Sequence, residues 1–360
     1  MTASRGRITV MTETADDTTT ADQALRHLRA GRSLVWRGDF HNGRQLLKAV
    51  DRRLNRQAQK AQKARKARSN APADATALFL RQRADRADRA DVLGRILVEL
   101  GEDYTLDLRR APDVRDACRH AYGDDHPGTV PFTELQGVLG AWQWHQRGVW
   151  VEELGDHIYP DYGVFSPTRS EYIGLVAALA DEVAGRDVLE IGTGTGVLAA
   201  VLARHGATVT ATDVSPRAVV CARRNLERLG CEVDVVEADL WQEGHRADVV
   251  VFNPPWLPGT PTSDLELGIY DADSGALRRF LAGLADHLTD GGEGWLVLSD
   301  LAEHLGLRSR EQLDQWIAEG GLRVVGREDT APRHPKVRDA DDPLHVARSR
   351  EVTSLWRLSV

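Results

Sequence analysis

The sequence predicts an α/β protein in which a doubly wound, mostly parallel sheet of seven strands follows an N-terminal helical domain. Three observations carry this. Beyond residue 155, short apolar runs alternate with helical patterns, the grammar of a parallel sheet covered on both faces. The first of those runs ends in a glycine-rich turn, Gly192-Thr193-Gly194-Thr195-Gly196, that opens a helix. Ahead of residue 155 the pattern reads as helix, and a chain of 360 residues is long enough for two cores.

Residues 1–20 are rich in Thr, Asp and Ser without an apolar period, so a disordered tail is expected, and translation could start at Met1 or Met11. Residues 21–155 are expected to form a helical substrate-recognition domain. Leu46, Leu47, Val50 and Leu54 recur at helical spacing, and the helix continues as a polar, basic segment over 44–68. A second helix over 75–100 carries the repeat RADRADRAD, where Arg81, Asp85 and Arg89 stand four apart and can pair along one face. A third, over 131–150, contains Trp142, Trp144 and Trp150, which could stack bases or anchor helix packing.

Residues 156–360 make the second domain. Its strands are DVLEIG, TVTATD, VDVVEAD, ADVVVFN, GEGWLVLS, LRVVGRE and VTSLWRLSV, the last two able to pair antiparallel at one edge. Helices are expected over 170–184 and 275–288, and in TGVLAAVLARHG and PRAVVCARRNLERLG.

A net charge of -8 argues against a surface that coats nucleic acid all over, but the charge is unevenly distributed. Between residues 44 and 68 there are ten Lys or Arg against one acid, Asp51. If helical, that segment is a basic rod able to lie along phosphates. Only five of the basic residues are Lys, so a general Arg bias accounts for part of the pattern. Three cysteines are too few for a disulfide framework, and no apolar run or N-terminal h-region suits a membrane span or secretory signal. A reduced, cytoplasmic protein is expected. Cys118, His120 and His126 lack a paired C-x-x-C, so no metal site is expected.

The glycine turn lies between strand and helix, with Asp213 at the end of the next strand. That placement suits a nucleoside whose ribose hydroxyls donate to the carboxylate. A dinucleotide turn needs G-x-G-x-x-G, and counted from Gly192 its third glycine is Val197. The turn is instead E-x-G-x-G-x-G. Glu190 would repel a pyrophosphate and attract a cation. Asp239, ending the third strand, could accept from an adenine amino group. With these residues the sequence resembles the class I S-adenosylmethionine (SAM)-dependent methyltransferases, from about Tyr162 to the C-terminus. The resemblance implies a Rossmann-like sheet with SAM as cofactor. Glu190 would face the methionine amine, Asp213 the ribose and Asp239 the adenine. Gly192, Thr193, Gly194, Gly196, Val214, Leu240 and Asn253 complete the expected cofactor site. Phe165 and Thr168, in the loop Tyr162–Arg169, would fold over its methionine end.

The fourth strand ends in Asn253-Pro254-Pro255-Trp256. Two prolines stop the strand and stiffen the turn at the sheet's carboxyl edge, where open α/β sheets bind ligands. The Asn253 side-chain oxygen and the Pro254 carbonyl could both accept from one planar NH2 group, and Trp256 offers a stacking face. Such an amine is a poor nucleophile until its nitrogen becomes pyramidal, which two acceptors favour. The four residues are similar to the motif of Asn-Pro-Pro-aromatic N-methyltransferases, the HemK and small-domain group. These act on exocyclic amines of nucleobases and on protein glutamine. The usual aromatic there is Tyr or Phe, so Trp256 is a departure. The basic segment favours RNA or DNA as substrate. A protein glutamine is the alternative, because glutamine enzymes of the group also carry a helical front domain. A small-molecule acceptor and a non-catalytic nucleic-acid binder stay open, as does the oligomeric state.

Overall fold

The computed structural model describes residues 12–68, 74–333, 337 and 339–360. Residues 1–11, and with them the choice between Met1 and Met11, lie outside the described residues. The chain divides into two compact units, one of residues 1–73 and 80–143, the other of 74–79 and 144–360.

The first unit holds β1 (Thr12–Ala15), α1 (Ala21–Arg29), β2 (Ser33–Trp36), α2 (Phe40–Arg68) and most of α3 (Ala75–Gly94), whose first turn belongs to the second unit. After these come β3 (Ile96–Glu99), α4 (Arg115–Tyr122), β4 (Thr129–Pro131) and most of α5 (Phe132–Arg147). The four strands form one sheet in the order β1-β2-β3-β4, with the first three parallel and β4 antiparallel. The expectation of a wholly helical domain is therefore corrected, and so is that of a tail reaching residue 20. Thr12–Ala15 pairs with Ser33–Trp36, and Thr20 caps α1 with Gln23 in a reciprocal capping box. The polar composition of β1 is that of an edge strand whose backbone supplies the pairing. The expected second helix likewise ends at Gly94, and the apolar run that follows is β3 rather than more helix.

Leu46, Leu47, Val50 and Leu54 are all buried, as their spacing implies, and each contributes ~1.5–3 kcal/mol of burial. In the repeat, Arg89 and Asp88 reach outward. Arg89 pairs with Asp51 of α2 at 2.7 Å, and Asp88 with Arg29 of α1 at 2.6 Å. The repeat therefore joins helices and is not solely a surface of intrahelical pairs.

The second unit opens with a hairpin, β5 (Val149–Val151) and β6 (Asp156–Ile158), so Trp150 lies on a strand. Next come α6 (Glu171–Ala177), β7 (Asp187–Ile191), α7 (Val197–Arg204), β8 (Thr208–Asp213), α8 (Pro216–Arg228) and β9 (Val233–Glu237). β10 (Ala247–Phe252) is followed by two short strands, β11 (Leu257–Pro258) and β12 (Tyr270–Asp271), flanking α9 (Asp264–Leu267). Then come α10 (Gly275–Gly283), β13 (Leu288–Ser299), α11 (Leu301–His304), α12 (Arg310–Glu319), β14 (Arg323–Thr330), α13 (His345–Arg348) and β15 (Thr353–Ser359).

Seven strands form the main sheet in the order β14-β15-β13-β10-β7-β8-β9, parallel from β13 to β9. β15 runs antiparallel to both β13 and β14, the edge pairing expected from the sequence. Alternate residues of β7 serve opposite faces. Val188 packs with α6, α7 and α8, and Leu189 with α10 and α12. Both are fully buried, which is why these strands read as continuous apolar runs.

Candidate active site

The strand order reverses between β7 and β10. From β7 the chain moves through β8 to β9 on one side, and β10 and β13 lie on the other. In an open parallel sheet the crevice outside the carboxyl ends of two such strands is the expected ligand site. The register puts the two sequence motifs there together. Ile191 pairs with Phe252, so the next residues, Gly192 and Asn253, stand side by side as the chain leaves the sheet.

Gly192, Gly194 and Gly196 all have left-handed backbones, with φ of 67°, 55° and 81°. At Gly194 a side chain would meet open space, so the conformation itself favours glycine there. At Gly196 a Cβ would lie 3.2 Å from the Cα of Ala222, so the absent side chain also lets α7 approach α8. The back of the turn is held by Asn225 of α8, buried in a helix whose other residues are apolar or charged. Its Nδ2 donates to Thr195 O at 3.1 Å, and its Oδ1 accepts from Tyr159 N at 2.9 Å. Sequence reasoning missed this residue, although a lone Asn on the apolar side of a helix was a signal.

Glu190 is 2% exposed, and its Oε2 accepts from Thr193 Oγ1 at 2.7 Å. Burial pushes its carboxyl up to about 7. The nearby Asp213 adds to the shift, and the Thr193 hydrogen bond only partly opposes it. Asp213 ends β8. Its Oδ2 accepts from Gly194 N at 2.9 Å and its Oδ1 from Ser215 N at 2.8 Å, so each oxygen keeps a lone pair for a ligand. Burial raises the Asp213 pKa too, against those two hydrogen bonds. Val214, next in the chain, is exposed.

Leu240 is buried with φ 69°, and its carbonyl accepts from Thr212 Oγ1 at 2.8 Å. Asp239 beside it is exposed and already engaged. Arg279 of α10 donates to both of its oxygens, at 2.7 and 3.1 Å, and that pairing lowers the Asp239 pKa.

Asn253 and Pro255 are half-buried and Pro254 is buried. Trp256 packs against the cores on both faces of the sheet. Its Nε1 donates to Asn253 Oδ1 at 2.9 Å, a contact the sequence did not disclose. Arg169 lies over the Trp256 ring, its Cζ 5.4 Å from the centroid. Phe165 is half-buried against Gly268 of the loop after the motif, where a Cβ would come within 2.9 Å of it, and Thr168 is exposed. In the first unit, the His126 ring nitrogens face Gly101 O at 2.8 Å and Gly128 N at 3.1 Å. Burial pushes the Cys118 thiol up to about 11.

Residues 157–310 match the methyltransferase small domain family. The chain is also 30% identical over 159 residues to a Methanocaldococcus jannaschii protein provisionally named a protein N5-glutamine methyltransferase. That match spans 42% of this chain and 79% of the relative. The chain belongs to the methyltransferase small domain family. It is accordingly a SAM-dependent methyltransferase of class I, with SAM as its cofactor.

Bacillus subtilis release factor glutamine methyltransferase is 32% identical over 133 residues, 35% of this chain and 43% of that one. Ribosomal RNA small subunit methyltransferase C of Enterobacter is 39% identical over 109 residues, 29% of each chain. This chain thus spans less than half the length of those two relatives. Among solved structures, ribosomal protein L11 methylase from Lactobacillus delbrueckii subsp. bulgaricus is 20% identical. The alignment covers 57% of this chain and 86% of that one, with a TM-score of 0.38. No helix among the described residues is long and apolar enough to cross a membrane.

The residues at the switch point fit the family's cofactor. Glu190 is a buried carboxylate whose donors, the Thr193 hydroxyl and the Ala199 backbone N–H, are both neutral, and an ammonium group would supply the missing countercharge. Asp213 is held by two backbone N–H groups with lone pairs to spare.

Proposed function

We propose that this methyltransferase transfers the methyl group of SAM to a planar exocyclic nitrogen, and that the acceptor is a base in RNA or DNA. The observation that carries the nitrogen acceptor is the register that sets Asn253 beside the glycine turn. Bound SAM supplies an electrophilic methyl group. Glu190 would hold its amine, Asp213 its ribose, and Asp239 with Leu240 and Val214 its adenine. Thr168 and Phe165 belong to the loop that would cover the methionine end.

One lone pair of Asn253 Oδ1 is taken by the Trp256 indole, and the other is free for the acceptor NH2. With the Pro254 carbonyl as second acceptor, the nitrogen is drawn toward tetrahedral geometry and its developing positive charge is stabilised. The proton becomes acidic once the new bond forms, so no strong base is required.

The nucleic-acid part rests on α2. Lys48, Arg52, Arg56, Lys60 and Lys63 are all exposed, and among the described residues none is paired with a carboxylate. At about 100° per residue they fall within roughly 120° of one helix side, a continuous cationic stripe. Two exposed indoles, Trp144 and Trp150, are available for stacking. The second reading, a protein glutamine, has support from the names of the jannaschii and Bacillus relatives, and an amide NH2 meets the same acceptor geometry.

Incubating the enzyme and isotope-labelled SAM with cell extract, followed by nuclease or protease digestion, tests both. Label released by nuclease, and lost when salt is raised, is the expected result. Label released only by protease would replace the base with glutamine. Label confined to small molecules would remove both.

A further inference from the structure

An asparagine carboxamide can present either its oxygen or its nitrogen to a ligand, and only the oxygen accepts a hydrogen bond. In this chain the choice is fixed by the last residue of the motif. The Trp256 indole N–H is purely a donor, and at 2.9 Å it stabilises the orientation with Oδ1 toward it. The ring itself is covered by the Arg169 guanidinium at 5.4 Å. Arg169 Nη1 donates to Glu351 Oε1 at 3.2 Å, and Glu351 is 2% exposed. The same oxygen accepts from Ser299 Oγ at 2.8 Å, and Ser299 Oγ accepts from Leu301 N at 3.1 Å. An unbroken series of contacts thus runs from the end of β13 and the segment before β15 to the acceptor asparagine.

We propose that Arg169 is a positioning residue for methyl transfer. Held by the buried Glu351, it clamps the Trp256 indole, which in turn keeps the Asn253 oxygen turned to the acceptor. The proposal rests on Asn253 being the acceptor ligand. The role suits arginine, whose planar guanidinium can stack on a ring and donate in its own plane at once, as a lysine ammonium cannot. It also accounts for Trp at position 256, because phenylalanine has no N–H to direct the carboxamide.

The test uses the full chain and four variants: Arg169→Met, Arg169→Lys, Trp256→Phe and Asn253→Ala. Two readouts are followed, labelled methyl transfer into cell extract and exchange of the tryptophan indole protons by NMR, with Trp256→Phe assigning the Trp256 signal. Arg169→Met is expected to speed exchange of that proton and to slow transfer by about tenfold or more, with SAM affinity unchanged. Arg169→Lys keeps the ion pair with Glu351 without the stack and should fall between the two. Should Arg169→Met fail to fold, Arg169→Lys carries the test alone.

Wild-type indole exchange and transfer in the Arg169 variants would overturn the proposal. So would equal losses of SAM affinity, melting temperature and rate, the pattern of a merely structural residue. Full activity in Asn253→Ala would instead overturn the acceptor assignment itself.

Discussion

The indole N–H of Trp256 and the side-chain oxygen of Asn253 are 2.9 Å apart, so the aromatic residue of this motif is bonded to the asparagine it follows. A ring that only offered a stacking face would leave the carboxamide free to turn. Here one lone pair of the oxygen is committed before an acceptor arrives, and the geometry of the other follows. Trp256→Phe keeps a ring in place and removes the donor. The expected outcome is a several-fold slower transfer, SAM affinity unchanged, and a stability loss of about 1 kcal/mol for the hydrogen bond. Chemical denaturation and an initial-rate assay check both. A rate equal to wild type would mean that the indole contributes only its ring.

In the proposed mechanism Asn253 accepts where charge develops, so the cost of Asn253→Ala should fall on turnover. Transfer is expected to drop by at least about a hundredfold, while SAM binding measured by calorimetry stays within a few-fold. Because Asn253 follows a strand buried on both faces, folding should survive the change. Unchanged turnover would end the amine-acceptor mechanism.

With Glu190 proposed to hold the SAM amine, SAM binding is expected to depend on pH. Burial raises its carboxyl to about 7 in the free protein, so near neutrality a proton must leave before it can face an ammonium group. Affinity should therefore strengthen as pH rises from 5.5 to 7, by up to about tenfold per unit, and level off above. Stability of the free protein takes the opposite sign. Between the ordinary carboxylate range and pH 7 the folded state binds the extra proton, so this group's contribution falls as pH rises. Glu190→Gln should flatten both curves. An affinity that stays level from pH 5.5 to 7 in the wild type would remove Glu190 from the amine.

The two ribose and adenine candidates differ in how they are held. Asp213 is fixed by two backbone N–H groups, whereas Asp239 is exposed and shares its charge with Arg279. Asp213→Ala should weaken SAM binding by at least about tenfold, the scale of hydrogen bonds to a half-buried, well-oriented carboxylate. Asp239→Ala should cost only a few-fold, and Arg279→Ala, which frees Asp239, should leave affinity equal or better. A larger loss from Asp239→Ala than from Asp213→Ala would reverse their roles.

The second unit was legible because its strands are buried on both faces. Val188, Leu189 and Ile191, or Val249 through Phe252, must all be apolar, and each run ends at a turn residue that serves the site. The small sheet of the first unit was not. Ser33–Trp36 and Ile96–Glu99 are four-residue strands set directly against helices, and their apolar residues merge into the neighbouring helical period. The glycine turn and the asparagine motif announce themselves because their neighbours in sequence are their neighbours in space. Arg169 and Glu351 do not, being 182 residues apart and meeting where the loop before α6 reaches the segment before β15.

Arg308 is a buried cation that, among the described residues, leaves two of its guanidinium nitrogens unsatisfied. It is 3% exposed, and neither Nε nor Nη2 has a hydrogen-bond partner. The Glu303 and Asp271 carboxylates lie near enough to favour its charge, but neither accepts from Nε or Nη2. Glu303 Oε2 accepts from Arg310 Nε at 3.1 Å, and the oxygens of Asp271 accept from Ala276 N and Leu277 N at 3.0 and 3.1 Å. Burial accordingly lowers the Arg308 pKa from its ordinary value. An unpaired buried cation destabilises a fold, and an unbranched apolar side chain of similar length removes that cost while filling the same space. Arg308→Met should therefore gain about 1–3 kcal/mol, seen as a melting temperature higher by roughly 2 °C or more. A fall of several degrees would show that the guanidinium is stabilising where it stands, which the observed contacts do not account for.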